Sequence, residues 1–432
     1  MDIPNVNIIE AFHKVLDNLV EGSKYETRPP RGPIDLPTVS NEEMSATDLD
    51  IWGQDEREDF GIENSNKIKL IESPERKEVK MPEENKLDGL SVIGIGGDNA
   101  RILTTSFHLI LARSVVVNFK YTKGFEKPYF YTRFRDASAI MVLDNNIFED
   151  SYSIYTYNDL VEKDKRFPIL DHINKKIDKP FRFRYDHEKS KKAPSSQSLG
   201  LAVKFQHALE LASINDTDFN HNGITICLKD GALFSNSTEL SDIRNGLRKL
   251  LQWQNQNKIF VGVSTKVNES RVLIKTINAR QDLIEEYFPN QNIPLSVINS
   301  FGTDTLLLKK ILKPGFRTPL IEYIEPTREG AINEEGLEGL KPITCYYHKR
   351  SKPYNFIRIE IPKFFWEKDK ELVEFAIAVT VWQHELGGDK PLVLKATEER
   401  CSLSNEKWVV EQQMKAAFDK KELGLVEFLN VK

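Results

Sequence analysis

The sequence predicts an α/β fold, a mixed sheet with helices packed on it. Three observations predict this. Short segments rich in β-branched residues recur from residue 87 onward. Segments with helical spacing are interleaved with them, as a sheet covered by helices requires. The 432 residues are 40% apolar, enough to build a sizeable core.

The elements follow in order. Asn7 to Val20 places Ile8, Ile9, Phe12, Val15, Leu16, Leu19 and Val20 on one stripe, an amphipathic N-terminal helix. Pro29-Pro30-Arg31-Gly32-Pro33 ends it. Residues 41–63 hold nine acidic side chains against Arg57 alone, a solvated, partly disordered segment. Strands are expected at 87–95, 102–110, 114–121 and 139–143, with Gly96-Gly97-Asp98-Asn99 as a hairpin turn. Helical spacing takes over at 199–214, through Leu199, Ala202, Phe205, Leu209 and Ala212. A strand at 223–228 ends in the turn Lys229-Asp230-Gly231, and a helix spans 240–254. Strands are expected at 259–264 and 271–277, then at 344–347, 356–361 and 392–394. Helices are expected at 306–312, 371–385 and 406–418. The expected division is residues 1–86, then 87–432, with a basic insertion at about 145–195 and a helical one at about 279–331.

Charge is unevenly spread. Residues 1–86 carry 20 acidic and 11 basic side chains, net −9; the whole chain is −5, so the remainder is +4. Residues 163–192 hold eleven Lys/Arg against five Asp/Glu, among Phe167, Phe181, Phe183 and Tyr185. Lys175, Lys176, Arg182, Arg184, Lys191 and Lys192 there could track a phosphate backbone while the aromatics stack on bases. A solvated surface loop is the other reading.

Several classes are excluded. Cys227, Cys345 and Cys401 are far apart, which speaks against a disulfide framework or zinc knuckle and fits a reducing cytoplasm. Met1-Asp2-Ile3-Pro4 lacks the basic start and apolar core of a leader. The longest apolar run, Phe107 to Phe119, is broken by Arg113 and too short to cross a bilayer. No phosphate-binding G-x-x-x-x-G-K-[ST] loop, G-x-S-x-G or H-E-x-x-H occurs. Gly94-Ile95-Gly96-Gly97 resembles a dinucleotide fingerprint, but the residues after it favour a strand where that motif needs a helix.

Three carboxylates carry the chemical argument. Asp88 and Asp230 each precede a glycine beside a strand, and Glu210 sits next to the apolar stripe of the intervening helix. Carboxylates from two strands and a crossing helix can converge on Mg²⁺ or Mn²⁺. Two such ions can stabilise the attacking and leaving oxygens of a phosphodiester displacement. Asp-Gly is also an ordinary turn, and a helix Glu beside a stripe is often solvated.

With these residues in place, the chain from about Leu87 resembles the NurA nuclease family. The resemblance rests on Leu87-Asp88-Gly89, on Phe205 to Leu211 followed by Ile226 to Leu233, and on Phe260-Val261-Gly262-Val263-Ser264-Thr265-Lys266. Phe356-Ile357-Arg358-Ile359-Glu360-Ile361-Pro362 and Lys390 to Ala396 complete it. It implies an RNase H-like mixed sheet flanked by helices and a metal-dependent DNA nuclease acting on DNA ends. It also implies Mn²⁺ (or Mg²⁺), two ions, a homodimer, and a HerA-type hexameric ATPase as partner. Asp88, Glu210 and Asp230 would be the metal ligands and Lys266 a phosphate contact. The family often has a His after the final Ala, and here Thr397 stands there. Glu398 or His384 could fill that fourth position, although His384 also reads as a helix-end residue favourable to the macrodipole. That departure keeps open a non-cleaving, DNA-binding adaptor of the ATPase ring. A carboxylate enzyme acting on RNA is a third reading. The Ile8–Val20 stripe would dock on the ATPase or the second subunit, or pack on its own domain.

Overall fold

The computed structural model describes residues 69–103, 107–122, 135–146, 151–157, 181–184, 223–233, 257–288, 293–322, 338–352 and 355–420, with helical residues 202–203, 206–207, 210–211 and 250–251. The N-terminal stripe, the acidic block 41–63 and most of the basic stretch lie outside these residues.

The apolar run at 107–119 forms β4 (Phe107–Lys120). Leu109 to Ala112 and Val115 to Val117 are all buried, so both faces of this strand are covered and the sequence shows no alternation. β4 lies between β3 (Ser91–Leu103) and β5 (Arg135–Asn146) in an antiparallel meander. β8 (Thr225–Asp230) runs parallel to β3, and β9 (Lys258–Ser264) parallel to β8. Numbering β3, β4, β5, β8 and β9 as one to five, the order across the sheet is 3-2-1-4-5. This is the RNase H-like arrangement, and the fold class expected from the sequence holds.

The sheet continues on both sides. β6 (Ser151–Tyr157) and β7 (Phe181–Arg184) extend it beyond β5. Beyond β9 come β13 (Phe356–Pro362), β12 (Pro342–His348), β11 (Ile321–Glu322) and β1 (Lys69–Leu70). β10 (Phe316–Arg317) pairs with β12 and with β2 (Lys77–Glu78). Residues 69–86, grouped with the N-terminal segment on composition, are therefore wired into the sheet. The buried Arg317 guanidinium reinforces this by donating to Glu72 and, at 2.6 Å, to Glu374 Oε1.

The main core lies between the central strands and α7 (Lys370–Gly387), whose Val373, Ala376, Ile377, Val379 and Val381 are buried. Each large aliphatic side chain so buried contributes about 1.5–3 kcal/mol. Asp369 caps α7, its side chain accepting from Leu372 N at 2.9 Å. α6 (Lys363–Lys368) precedes it; α8 (Leu392–Cys401) and α9 (Ser404–Lys420) follow.

Three expectations are corrected. First, Gly96-Gly97-Asp98-Asn99 is not a turn; β3 runs straight through it. The glycines are there because helices press on both faces. A Cβ on Gly96 would stand 2.7 Å from Thr397 Oγ1, and one on Gly97 2.7 Å from Gln206 Cγ and Glu210 Oε1. Second, 271–277 is not a strand but mostly helix α2 (Val272–Ala279). Its first turn is capped from 30 residues away: buried Asp304 accepts from Leu273 N (3.1 Å), Ile274 N (3.0 Å) and Ser270 Oγ (2.6 Å). Tertiary capping thus overrides the β propensity of Val272 and Ile274. Third, Leu392–Leu394 opens helix α8 instead of forming a strand, because Val393 and Leu394 pack on β3.

Helices follow one another between residues 272 and 311. α3 (Gln281–Tyr287), α4 (Leu295–Asn299) and α5 (Asp304–Ile311) join α2 around a second core that includes Leu273, Ile277, Leu283, Leu307 and Leu308. Among the described residues no helix is long and apolar enough to cross a membrane.

Candidate functional site

The two Asp-Gly pairs have the same local shape and opposite positions. Gly89 and Gly231 both take positive φ (77° and 82°), so each pair is a turn. Asp88 follows the short helix α1 (Glu84–Leu87) and is exposed at the amino end of β3. Asp230 closes the carboxyl end of β8. The parallel register sets Ser91 beside Thr225 and Ile95 beside Lys229, so Asp230 is level with residue 96. Residues 91 and 96 of one strand are about 16 Å apart, and Asp88 lies further back still. The structure does not bring Asp88 to Glu210 and Asp230.

The carboxyl end of β8 and β9 is where open α/β sheets receive ligands. Glu210, on the helix that crosses this end, is 3% exposed. Lys229, on β8, points its Nζ at Glu210 Oε2 (3.2 Å) and donates to the carbonyls of Asp230 (3.0 Å) and Ala232 (3.1 Å). Gln206 Nε2 donates to Glu210 Oε1 at 2.8 Å and is itself held by Asn99 Nδ2 at 2.6 Å. His207 Nδ1 is 3.5 Å from Glu210 Oε2. Burial alone would raise the Glu210 carboxyl; the Lys229 ammonium, with His207 and Gln206, outweighs it and brings the group down to about 2.

Asp230 faces a different cation. Lys390 Nζ lies 2.9 Å from Asp230 Oδ2 and 2.9 Å from Glu398 Oε2, bridging the two. Burial would lower the Lys390 ammonium; Asp230 and Glu398 more than compensate and raise it. The turn after Asp230 is fixed from the sheet. Gly231 N donates to Val263 O (2.9 Å), and Leu233 N to Glu360 Oε2 (2.8 Å). Arg358 Nε stands 3.0 Å from the other Glu360 oxygen. Lys266 follows β9 on this same edge, since Asp230 pairs in register with Val263.

The two candidates for a fourth position diverge. Glu398 reaches the Asp230 side through Lys390. His384 is fully buried, with Nε2 3.0 Å from Asn355 Oδ1; burial and the nearby Lys349 push its imidazole down to about 4. Thr397 spends its hydroxyl on Leu394 O (2.7 Å) and is packed against Gly96. Of the DNA-binding candidates, Arg182 and Arg184 lie on β7, while Lys175, Lys176, Lys191 and Lys192 fall outside the described residues.

Sequence reasoning missed Asp98, Lys229 and Lys390 as members of the site. Asp98 lies on β3 beyond Gly96 and accepts from Leu403 N (2.8 Å), tying the α8–α9 junction to the strand. The charges of Asp98, Glu210, Asp230 and Glu398 all act on the buried Cys401 thiol; with burial as the main cause, they bring it up to about 12. The four carboxylates therefore share one neighbourhood. A lysine inside the apolar strand Ile226-Cys227-Leu228-Lys229 was the available signal, because a buried ammonium needs an anion.

The donor chemistry suits a hard divalent ion, which takes carboxylate oxygens. Among the described residues, however, no three His, Cys, Asp or Glu side chains are arranged to hold one. Glu210 and Asp230 each already carry a lysine.

No family model and no curated protein matches the chain. Solved structures do. The crystal structure of the NurA nuclease from Sulfolobus solfataricus is 14% identical, with a TM-score of 0.39, covering 83% of this chain and 90% of that one. A structure of NurA bound to dAMP and manganese is 9% identical, with a TM-score of 0.34 and coverage of 76% and 87%. A third, NurA with manganese, is 10% identical, with a TM-score of 0.32 and coverage of 81% and 90%.

Proposed function

We propose that this chain is a metal-dependent nuclease acting on DNA ends, with Glu210 and Asp230 as the ion-holding carboxylates. One observation carries the reading: a helix carboxylate and a strand carboxylate both lie at the carboxyl end of the parallel strands, and the buried one is kept ionised. A bound Mn²⁺ or Mg²⁺ would supply charge stabilisation for phosphodiester displacement. Glu360 and Lys229 hold the turn that presents Asp230, and Lys266 contacts a phosphate oxygen from the same edge. Arg182 and Arg184, with Lys175, Lys176, Lys191 and Lys192, hold the DNA backbone. A homodimer docked on a HerA-type hexameric ATPase, with the Ile8–Val20 stripe at the contact, is part of the proposal. So is the cytoplasm, which three free, buried cysteines suit.

A specific observation favours a second reading, a non-cleaving DNA-binding adaptor of the ring. Both carboxylates are neutralised by lysines, and Thr397 is turned into its own helix. Incubation of end-labelled linear duplex and single-stranded DNA with Mn²⁺, with and without chelator, separates the two. The nuclease reading expects chelator-sensitive cleavage that Asp230→Asn abolishes and Asp88→Asn leaves at the wild-type rate. Cleavage that survives Asp230→Asn removes the site assignment. DNA retention with no cleavage, even beside the ATPase, establishes the adaptor.

A further inference from the structure

We propose that Lys390 is a built-in counter-cation of this centre: it bridges Asp230 and Glu398, and a divalent ion binding these carboxylates competes with it. The inference rests on the nuclease reading for its choice of ion, and on the structure alone for the geometry.

A surface lysine near two carboxylates is ordinarily mobile and contributes little. Lys390 is not of that kind. Its side chain is 14% exposed, and its Nζ sits 2.9 Å from an oxygen of each partner. The loop that presents it is fixed at several points. Gly387 is packed so closely that a Cβ would stand 2.6 Å from Leu392 N, and Gly388 takes φ +92°, a conformation that favours glycine. The buried Lys349 Nζ donates to Gly388 O, and Asn355 Nδ2 donates to Asp389 O at 3.3 Å. Asn355 is held in turn by the fully buried His384. His384 therefore serves the loop that aims Lys390, and the structure gives it no part as an ion ligand.

The competition is electrostatic. The ammonium takes one oxygen of each carboxylate, so a divalent ion that binds through either of those oxygens competes with it. Lys229 does the same for Glu210, from within the strand and with two backbone carbonyls as additional anchors. The two lysines differ in what they can do. Lys229 is locked among three acceptors in the interior, whereas Lys390 ends beside Glu398, which is 59% exposed.

The test measures Mn²⁺ binding to the full chain, without DNA, by the electron-spin resonance signal of free Mn²⁺. Lys390→Met is expected to bind at least tenfold more tightly than wild type, and Lys390→Arg to remain as weak as wild type. Adding Asp230→Asn to Lys390→Met should abolish the gain. Lys390→Gln replaces the Met variant if circular dichroism shows that variant to be unfolded. Equal Mn²⁺ affinity in wild type and a folded Lys390→Met or Lys390→Gln overturns the proposal, as does a gain that survives Asp230→Asn. The cleavage assay run in parallel reports separately on the nuclease reading. Tighter binding without cleavage supports the counter-cation and sinks the nuclease; cleavage with unchanged binding does the reverse.

Discussion

Replacing Lys229 with methionine removes the nearest cation from a carboxylate that is 3% exposed. Methionine fills a similar volume, so the change is chiefly electrostatic. Breaking a buried pair by deleting one partner destabilises by about 3–5 kcal/mol, because the remaining charge is uncompensated. The pH dependence identifies the cause. In the wild type the Glu210 carboxyl sits at about 2 when folded, against an ordinary 4.5. A carboxyl held low contributes stability that is fully present above 4.5 and is lost as pH falls toward 2. The difference corresponds to about 3 kcal/mol. Without Lys229, burial dominates and the folded-state carboxyl moves above 4.5. The variant then loses stability as pH rises through 4.5, while the wild type has reached its plateau. The gap between the two proteins should therefore widen steadily from pH 3 to pH 6. Urea titrations followed by circular dichroism across pH 3–8 measure it. A gap below about 1 kcal/mol at pH 7, or one that does not change with pH, refutes the claim that Lys229 keeps Glu210 ionised. Adding Glu210→Gln to Lys229→Met should recover part of the loss, since the amide needs no counter-ion.

Other consequences are open to the same measurement. Asp304→Ala strips acceptors from Leu273 N, Ile274 N, Ser270 Oγ and Tyr346 Oη at once, and should destabilise by about 3 kcal/mol or more in urea, with helical signal lost first. His384, held neutral down to about 4, makes the folded state bind fewer protons than the unfolded one between about 4 and 6.5. Stability should rise with pH across that window, and His384→Asn should flatten the rise. Gly96→Ala drives a methyl onto Thr397 Oγ1 and should cost about 1–3 kcal/mol, partly restored by Thr397→Ala.

Much of the fold was legible because the central strands are covered on both faces. Ile259 to Ser264 and Phe356 to Ile361 read as strands from apolar, β-branched composition alone, and both are strands, whereas 102–110 and 114–121 read as two strands and parts of both fall in the single strand β4. The placement of Glu210 on a helix and of Asp230 at a strand end was legible because each stands at the margin of an apolar segment. The failures have one physical origin: local sequence does not carry tertiary position. Two Asp-Gly turns look alike, and only the parallel register shows that Asp88 and Asp230 face opposite ends of the sheet. Gly96 and Gly97 suggested a turn, yet they answer the close approach of α8 and the Glu210 helix. Val272 to Ile277 favoured a strand until Asp304, outside any local window, capped it as a helix.

That remote cap bears on the order of folding. α2 and the residue that satisfies its first amides are separated by two other helices, α3 and α4. The only local side-chain cap of α2 is a long bond from Val272 N to Ser270 Oγ (3.4 Å), and the helix is only eight residues long, below the length at which an isolated helix persists in water. Its formation therefore waits on a chain closure of some 30 residues, and the segment from Val267 to Leu312 should appear and disappear as one cooperative block. Amide hydrogens of Leu273 and Ile274 should exchange together with those of α5, at a rate set by opening of the block and not by fraying of the helix that contains them.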